Sequence, residues 1–235
     1  METMTPSDNL RRRLAILDRI YDLYEEFLKP FNLACELRCS SCCTGNLTMT
    51  TLEGYSILAR AGNHKLNMLL ENVRAVANSP WFKPQITINR IAELCRNGKP
   101  VLDEIIGPSW GTCPLLTHNA YPIYPLRPFG CRCMVSNLDC RKTGHAQIDA
   151  FILTINNLFL QYIEHIDPYG DTGSLIDILI YFDQPTLLET FQRKMTITEY
   201  AGLALNRPIP ALMVPPEHRH RVQPILQRLQ LLDQT

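Results

Sequence analysis

With 235 residues, 46% of them hydrophobic, the chain is long enough to bury a substantial core and needs no staples merely to fold. Its 23 basic and 23 acidic side chains cancel, which removes any global electrostatic pull toward nucleic acid or an anionic membrane. Neither partner is expected, and the sequence identifies no protein partner.

The opening stretch, METMTPSDNLRRRLAILDRI, places acidic and polar residues before its basic run and lacks an apolar segment with a small-residue cleavage site. It does not read as a signal peptide. The most apolar run, Ala150 to Ile163, is interrupted by Asn156, Asn157 and Gln161 and is shorter than the roughly 20 apolar residues a membrane span needs. A soluble, cytoplasmic protein is expected.

In chain order, Ser7 is a candidate cap for a first amphipathic helix. Leu10, Leu14, Leu17, Tyr21, Tyr24 and Leu28 recur at three- and four-residue intervals up to Lys29-Pro30. Leu33 to Leu47, LACELRCSSCCTGNL, then puts four cysteines into nine positions. Thr51 is the expected cap of a helix through Tyr55, Leu58 and Ala59 to Ala61-Gly62. Apolar series follow through Leu66, Leu69, Leu70, Val73 and Val76, and through Ile88, Ile91, Leu94 and Cys95.

From Gly107 to Gly144 the helical period disappears among prolines, glycines, aromatics and four further cysteines, which reads as an irregular, ligand-rich loop. Helical periodicity resumes over 147–165, 175–182 and 185–194, and a Pro-rich connection, 206–217, leads to a last helix ending near Leu232. The expected fold is mainly α: a single helical domain over 1–235, with a cysteine-rich metal-binding region at 33–145. An unstructured loop of ~35 residues is unusual inside a compact domain unless something holds it. A metal or iron–sulfur centre is the expected anchor.

Nine cysteines, an odd number, two of them adjacent and no export signal, argue against a disulfide framework and toward metal. The candidate metal ligands are Cys35, Cys39, Cys42, Cys43, Cys113, Cys131, Cys133 and Cys140. Soft thiolates select zinc, Cu(I) or iron–sulfur clusters over calcium and magnesium. Neighbouring side chains diverge on a helix or strand, so Cys42 and Cys43 are not expected to serve one ion as equivalent ligands. Arg127, Arg132, Arg141 and Lys142 either offset the negative charge of a four-thiolate centre or are solvated loop charges. Cys95 reads as a buried small hydrophobe.

His118 and His145 flank the loop as ordinary loop residues, although imidazole also suits zinc. His218-x-His220 reads as a solvated face, and Trp81, Trp110, Tyr121, Tyr124 and Phe129 as packing for the loop and its edges. Asp103, Glu104, Asp183 and Glu189 read as surface carboxylates, with no nucleophile or base paired to them. No catalytic residue emerges.

Three blocks carry a resemblance. Cys35-x3-Cys39-x2-Cys42-Cys43 is followed by Thr51-x-Glu53, then by Cys113-Pro114-Leu115-Leu116, then by Ile123-Tyr124-x-x-Arg127-Pro128-x-x-Cys131-Arg132. Their order and spacing resemble the YkgJ-type family of zinc- or iron-chelating proteins. The resemblance implies a cysteine-bound zinc or iron–sulfur centre, [4Fe–4S] being the expected cluster if the metal is iron. The flagellin lysine-methylase FliB resembles the same family in the early cysteine motif. The alternatives are therefore an iron–sulfur-dependent protein lysine N-methylase of that type, or an electron-transfer or redox-sensing iron–sulfur protein.

One departure stands out. The family usually has a cysteine two residues before the Ile-Tyr pair, and Tyr121 occupies that place here. Either Cys133 or Cys140 substitutes, or a centre has been lost or its metal changed. The Cys-x3-Cys-x2-Cys spacing also resembles the radical S-adenosylmethionine motif, but that motif rides on an α/β barrel and this chain lacks repeated strand–helix units. No G-x-G-x-x-G follows a strand, so an ordinary dinucleotide-binding signature is absent.

Overall fold

The first helix starts where a serine hydroxyl satisfies an orphan amide: Ser7 Oγ accepts from the Leu10 N–H at 3.2 Å, and α1 runs over Asp8–Leu28. The computed structural model describes residues 6–35, 39–101, 111–117, 121–194 and 200–233. His118, Asp103, Glu104 and Trp110, together with parts of the cysteine-rich stretch, lie outside the described residues. Among those described, β1 (Thr48–Thr50) leads into α2 (Thr51–Arg60), followed by α3 (Asn63–Val76) and α4 (Ile88–Arg96). Two one-turn helices, α5 (Phe129–Arg132) and α6 (Cys140–Thr143), precede α7 (Ala150–His165). The chain continues through β2 (Asp171–Ser174), α8 (Leu175–Phe182), α9 (Pro185–Lys194), β3 (Ala204–Leu205) and α10 (Arg219–Asp233).

The mainly α expectation holds, with one addition. A small antiparallel sheet of order β1-β2-β3 pairs Thr48 with Ser174, Thr50 with Thr172, and Thr172 with Ala204. Strands of two to four residues are too short to show a period of two, so periodicity alone does not reveal them. The stretch that lacks a helical period is not uniformly irregular either, since it contains α5, α6 and a 3₁₀ turn at Tyr124–Leu126.

α2 begins one residue earlier than expected. Thr50, not Thr51, is the cap: its hydroxyl accepts from the Glu53 N–H, and the Glu53 carboxylate accepts from the Thr50 N–H, forming a reciprocal capping box. The Thr51 hydroxyl is thereby released to donate to buried Asp167 at 2.7 Å.

One buried apolar cluster draws on helices from α1 to α10. Near the cysteines it is aromatic: Tyr24 meets Phe129 edge-on at 4.7 Å, and Phe129 stacks on Phe159 at 5.7 Å. Two of the polar interruptions of α7, Asn156 and Gln161, are buried as well, while Asn157 is half-buried. Gln161 donates to Asn89 Oδ1 at 3.0 Å and to the Ala211 carbonyl at 2.8 Å, while Glu164 accepts from the Asn89 and Arg207 amides at 2.8 and 2.7 Å. α7 therefore clamps α4 on one side and the Pro-rich connection on another. No described helix is long and apolar enough to cross a membrane.

The α4 clamp corrects the reading of Cys95, which is exposed. Asn89 and Ala92 are the buried residues of α4. Because the Asn89 side chain is drawn in by the Gln161 and Arg207 carbonyls, the first turn faces the core and the last turn projects into solvent.

Candidate metal centre

Three chain segments carry the eight candidate cysteines, and backbone hydrogen bonds bring the segments together. The Cys113 N–H donates to the Cys43 carbonyl at 3.0 Å, the Gly45 N–H donates to the Gly111 carbonyl at 3.1 Å, and Thr44 forms an antiparallel bridge with Thr112. On the other side, the Ala34 N–H donates to the Ser136 carbonyl at 2.8 Å, drawing the segment that carries Cys35 onto the chain leaving α5. Cys131 lies within α5 and Cys133 caps it, while Cys140 opens α6.

Glu53 fixes α5 in place. Its side chain is 3% exposed and its two oxygens accept four hydrogen bonds. The donors are the Tyr21 hydroxyl and the Phe129 N–H, each at 2.7 Å, with the Thr50 N–H at 2.8 Å and the Thr50 hydroxyl at 3.2 Å. One carboxylate thus joins α1, the β1–α2 junction and the first amide of the turn that carries Cys131. A buried carboxylate with this many donors is satisfied rather than stranded. The Cys133 carbonyl, at the far end of that turn, accepts from Asn156 Nδ2 at 3.1 Å, and Tyr24 donates to Asn156 at 2.7 Å. Glu53 stands in the sequence only as part of a short motif; its tertiary partners depend on contacts across 32 and 76 residues.

The thiols act on one another electrostatically. Cys43 lies in the field of Cys131, Cys113 and Cys39, and Cys35 in that of Cys42, Cys140 and Cys39. Burial is the main cause that raises Cys35, Cys113, Cys131 and Cys133, the last to about 12. Cys42 is raised first by donating its thiol proton to Cys43 and then by burial, whereas accepting that proton lowers Cys43. The adjacent thiols therefore meet. Residues 41 and 42 form a turn, so the divergence of neighbours on a helix or strand does not apply to them. Several clustered thiolates repel without a cation among them, and a bound metal inverts that balance by deprotonating its thiols outright.

The cationic side chains divide into two groups. Arg132 is buried and committed to structure: it pairs with Glu25, donates to the Arg127 and Pro125 carbonyls at 2.9 and 2.6 Å, and lies 4.2 Å over the Tyr21 ring. Arg127 stacks on Tyr124 at 3.9 Å and lies in the field of Cys131, where it opposes the upward push of burial. Arg141 pairs with Asp139 at 2.8 Å, and Lys142 is exposed.

Other singled-out residues are placed elsewhere. His145 is exposed. His218 is half-buried and shares a 2.8 Å hydrogen bond with Thr154 while meeting Phe151 edge-on, so it belongs to the packing of α7 rather than to a solvated face. Asp183 accepts both arms of Arg74, at 2.6 and 2.7 Å. Among the described residues no three histidine, cysteine, aspartate or glutamate side chains stand, as placed, in an arrangement that holds a metal ion. The donor chemistry nevertheless fits a thiolate-bound metal or cluster: soft sulfur donors in excess of four, most of them half-buried or buried, on segments pinned by backbone and carboxylate hydrogen bonds. Compared with known protein families, with curated proteins and with solved structures, the chain matches none.

Proposed function

We propose that the protein binds zinc or an iron–sulfur centre through its cysteine thiolates, as the resemblance to the YkgJ-type chelating family implies. One observation carries the reading: three segments far apart in sequence, which together carry the eight candidate cysteines, are joined through their backbones, Cys113 to Cys43 and Ala34 to Ser136. Cys35, Cys39, Cys42, Cys43, Cys113, Cys131, Cys133 and Cys140 are the residues that would hold the centre, by turning their sulfurs toward it. When bound, zinc supplies a structural cross-link, and an iron–sulfur cluster supplies a one-electron redox centre.

Glu53, Asn156 and Arg132 hold the loop backbone, and the thiols lose protons as they bind. The test is metal and acid-labile sulfide content, with an absorption spectrum, on untagged protein purified without oxygen. Stoichiometric colourless zinc supports a closed structural site. Iron with sulfide and broad visible absorption directs attention to electron transfer, sensing or a FliB-type methylase. Replacing Cys39 or Cys42 by serine is expected to lower bound metal, whereas exposed Cys95→Ser leaves it at the wild-type level. Equal metal in all three variants would sink the ligand assignment.

A further inference from the structure

Away from the cysteines, a cavity of about 220 Å³ opens between the second turn of α1 and the end of α7, lined by Arg12, Arg13, Ile16, His165, Ile166 and Pro168. Two of these side chains carry a fixed positive charge, one is an imidazole and three are apolar; among the described lining residues none is acidic. Its wall is positive in a chain whose charges cancel overall. The polar groups are anchored by the fold itself. Arg13 Nε donates to Asn9 Oδ1 at 3.1 Å, one arm of its guanidinium donates to the Ile166 carbonyl, and the guanidinium lies 6.0 Å from the centre of the Tyr169 ring. His165 Nδ1 accepts from the Ile209 N–H at 3.3 Å, so Nε2 is the ring nitrogen that carries the proton and donates. Two carboxylates close by in sequence are engaged elsewhere. Asp8 pairs with Arg11, and Asp167 accepts from the Thr51 hydroxyl and the Leu52 amide at 2.7 and 2.9 Å.

We propose that this cavity binds a small phosphomonoester, with the phosphate held by Arg12, Arg13 and His165 and the carbon body against Ile16, Ile166 and Pro168. The site is independent of the metal-binding reading above. Charge selects the phosphate: a phosphomonoester carries about −1.5 to −2 at pH 7, which matches two guanidiniums better than a carboxylate does. Guanidinium donors suit phosphate oxygens, and hydrogen bonds between charged partners are the strong ones. A guanidinium already held by Asn9 and the Ile166 carbonyl loses less freedom when the ligand arrives. Size sets the rest of the molecule. Sites for drug-sized ligands run to roughly 300–1,000 Å³, so this smaller cavity takes a compact ester, and its apolar side favours a carbon body over free phosphate.

The experiment is calorimetric titration of the full chain, at fixed ionic strength, with phenyl phosphate, inorganic phosphate and benzoate. Wild type is compared with Arg12→Gln, Arg13→Gln and Arg11→Gln. Arg11 belongs to the same basic run but pairs with Asp8 and does not line the cavity, so it controls for general charge. Arg13→Gln also breaks the bond to the Ile166 carbonyl, whereas Arg12 is exposed, so Arg12→Gln separates binding from folding. One phenyl phosphate is expected to bind per chain, about 10- to 100-fold more weakly after Arg12→Gln or Arg13→Gln and unchanged after Arg11→Gln. Benzoate and inorganic phosphate are each expected to bind roughly 10-fold more weakly than phenyl phosphate. A wild-type chain that shows no saturable uptake of phenyl phosphate overturns the proposal, as does wild-type affinity in Arg12→Gln. Equal losses in all three variants overturn it too, reducing the effect to attraction by the basic run. Inorganic phosphate binding as tightly as phenyl phosphate would overturn the ester in favour of the free ion, and benzoate doing so would overturn the selection by charge.

Discussion

Asp167 lies enclosed between the start of α2 and the approach to β2, 1% exposed. Its Oδ2 accepts from the Thr51 hydroxyl at 2.7 Å, the Leu52 amide at 2.9 Å and Asn206 Nδ2 at 3.3 Å, while Oδ1 has no partner. Burial outweighs those hydrogen bonds and the opposing charge of Arg13, pushing the carboxyl up to about 7. Asp171, raised to about 6 by burial, acts in the same direction. A carboxyl raised above its unfolded value favours the fold most while protonated in both states. Its contribution is full below pH about 4 and is lost as pH rises through the folded value. For Asp167 the full shift corresponds to roughly 4 kcal/mol, lost as pH rises from below 4 to above 7. Asp167→Asn keeps an acceptor oxygen without the charge, so it should flatten most of the fall in stability across that window. Urea unfolding at a series of pH values reads the slope directly, and an unchanged slope would exclude Asp167 as its source.

At the scale of elements, the site depends on how closely α5 approaches β1. A Cβ placed on Gly130 would lie 2.7 Å from the Thr48 carbonyl oxygen and 2.7 Å from Leu47 Cδ1. The leucine end can rotate, but the carbonyl belongs to strand backbone paired with β2 and cannot. Gly130→Ala must therefore push α5 outward, straining the 2.7 Å bond from the Phe129 N–H to Glu53 and displacing Cys131 and Cys133 together. Overpacking of this kind costs roughly 1–3 kcal/mol. Thermal melting should report that loss, and metal content should fall with it. A variant as stable as wild type would mean that the strand and the turn separate freely. The same junction explains how Glu53 reaches α5, 76 residues further along the chain: it serves the α2 cap and the α5 amide with one side chain.

At the scale of the whole molecule, the aliphatic and aromatic core draws mostly on long helices, and among the described residues Cys113 is the one cysteine counted with its buried members. If the proposed metal is bound, its removal is expected to loosen residues 33–45 and 111–144 while leaving α1, α7 and α8 folded, since local opening follows local burial rather than total stability. Chelation followed by limited proteolysis and amide hydrogen exchange measures this. The expected pattern is new cleavage and faster exchange in those two segments with unchanged helical circular dichroism; collapse of the helical signal would show that the core needs the centre.

The long helices were legible from local information. Ser7, the three- and four-residue apolar spacing of α1 and the run Leu175 to Phe182 each act within a turn or two of chain, and the boundaries follow. The concentration of cysteines and the chemistry expected of them were equally visible. Local pattern could not supply α5, α6 or the three short strands, each too brief to display a period. Nor could it supply the shift of the α2 cap to Thr50, the exposure of Cys95 or the meeting of Cys42 with Cys43 across a turn. The site itself was decided by the tertiary structure. Cys43 with Cys113, Ala34 with Ser136, Glu53 with Phe129 and Cys133 with Asn156 are contacts between residues distant in the chain. They arise because helices with separate apolar faces must share one core, and periodicity within a segment carries no record of which other segment will face it.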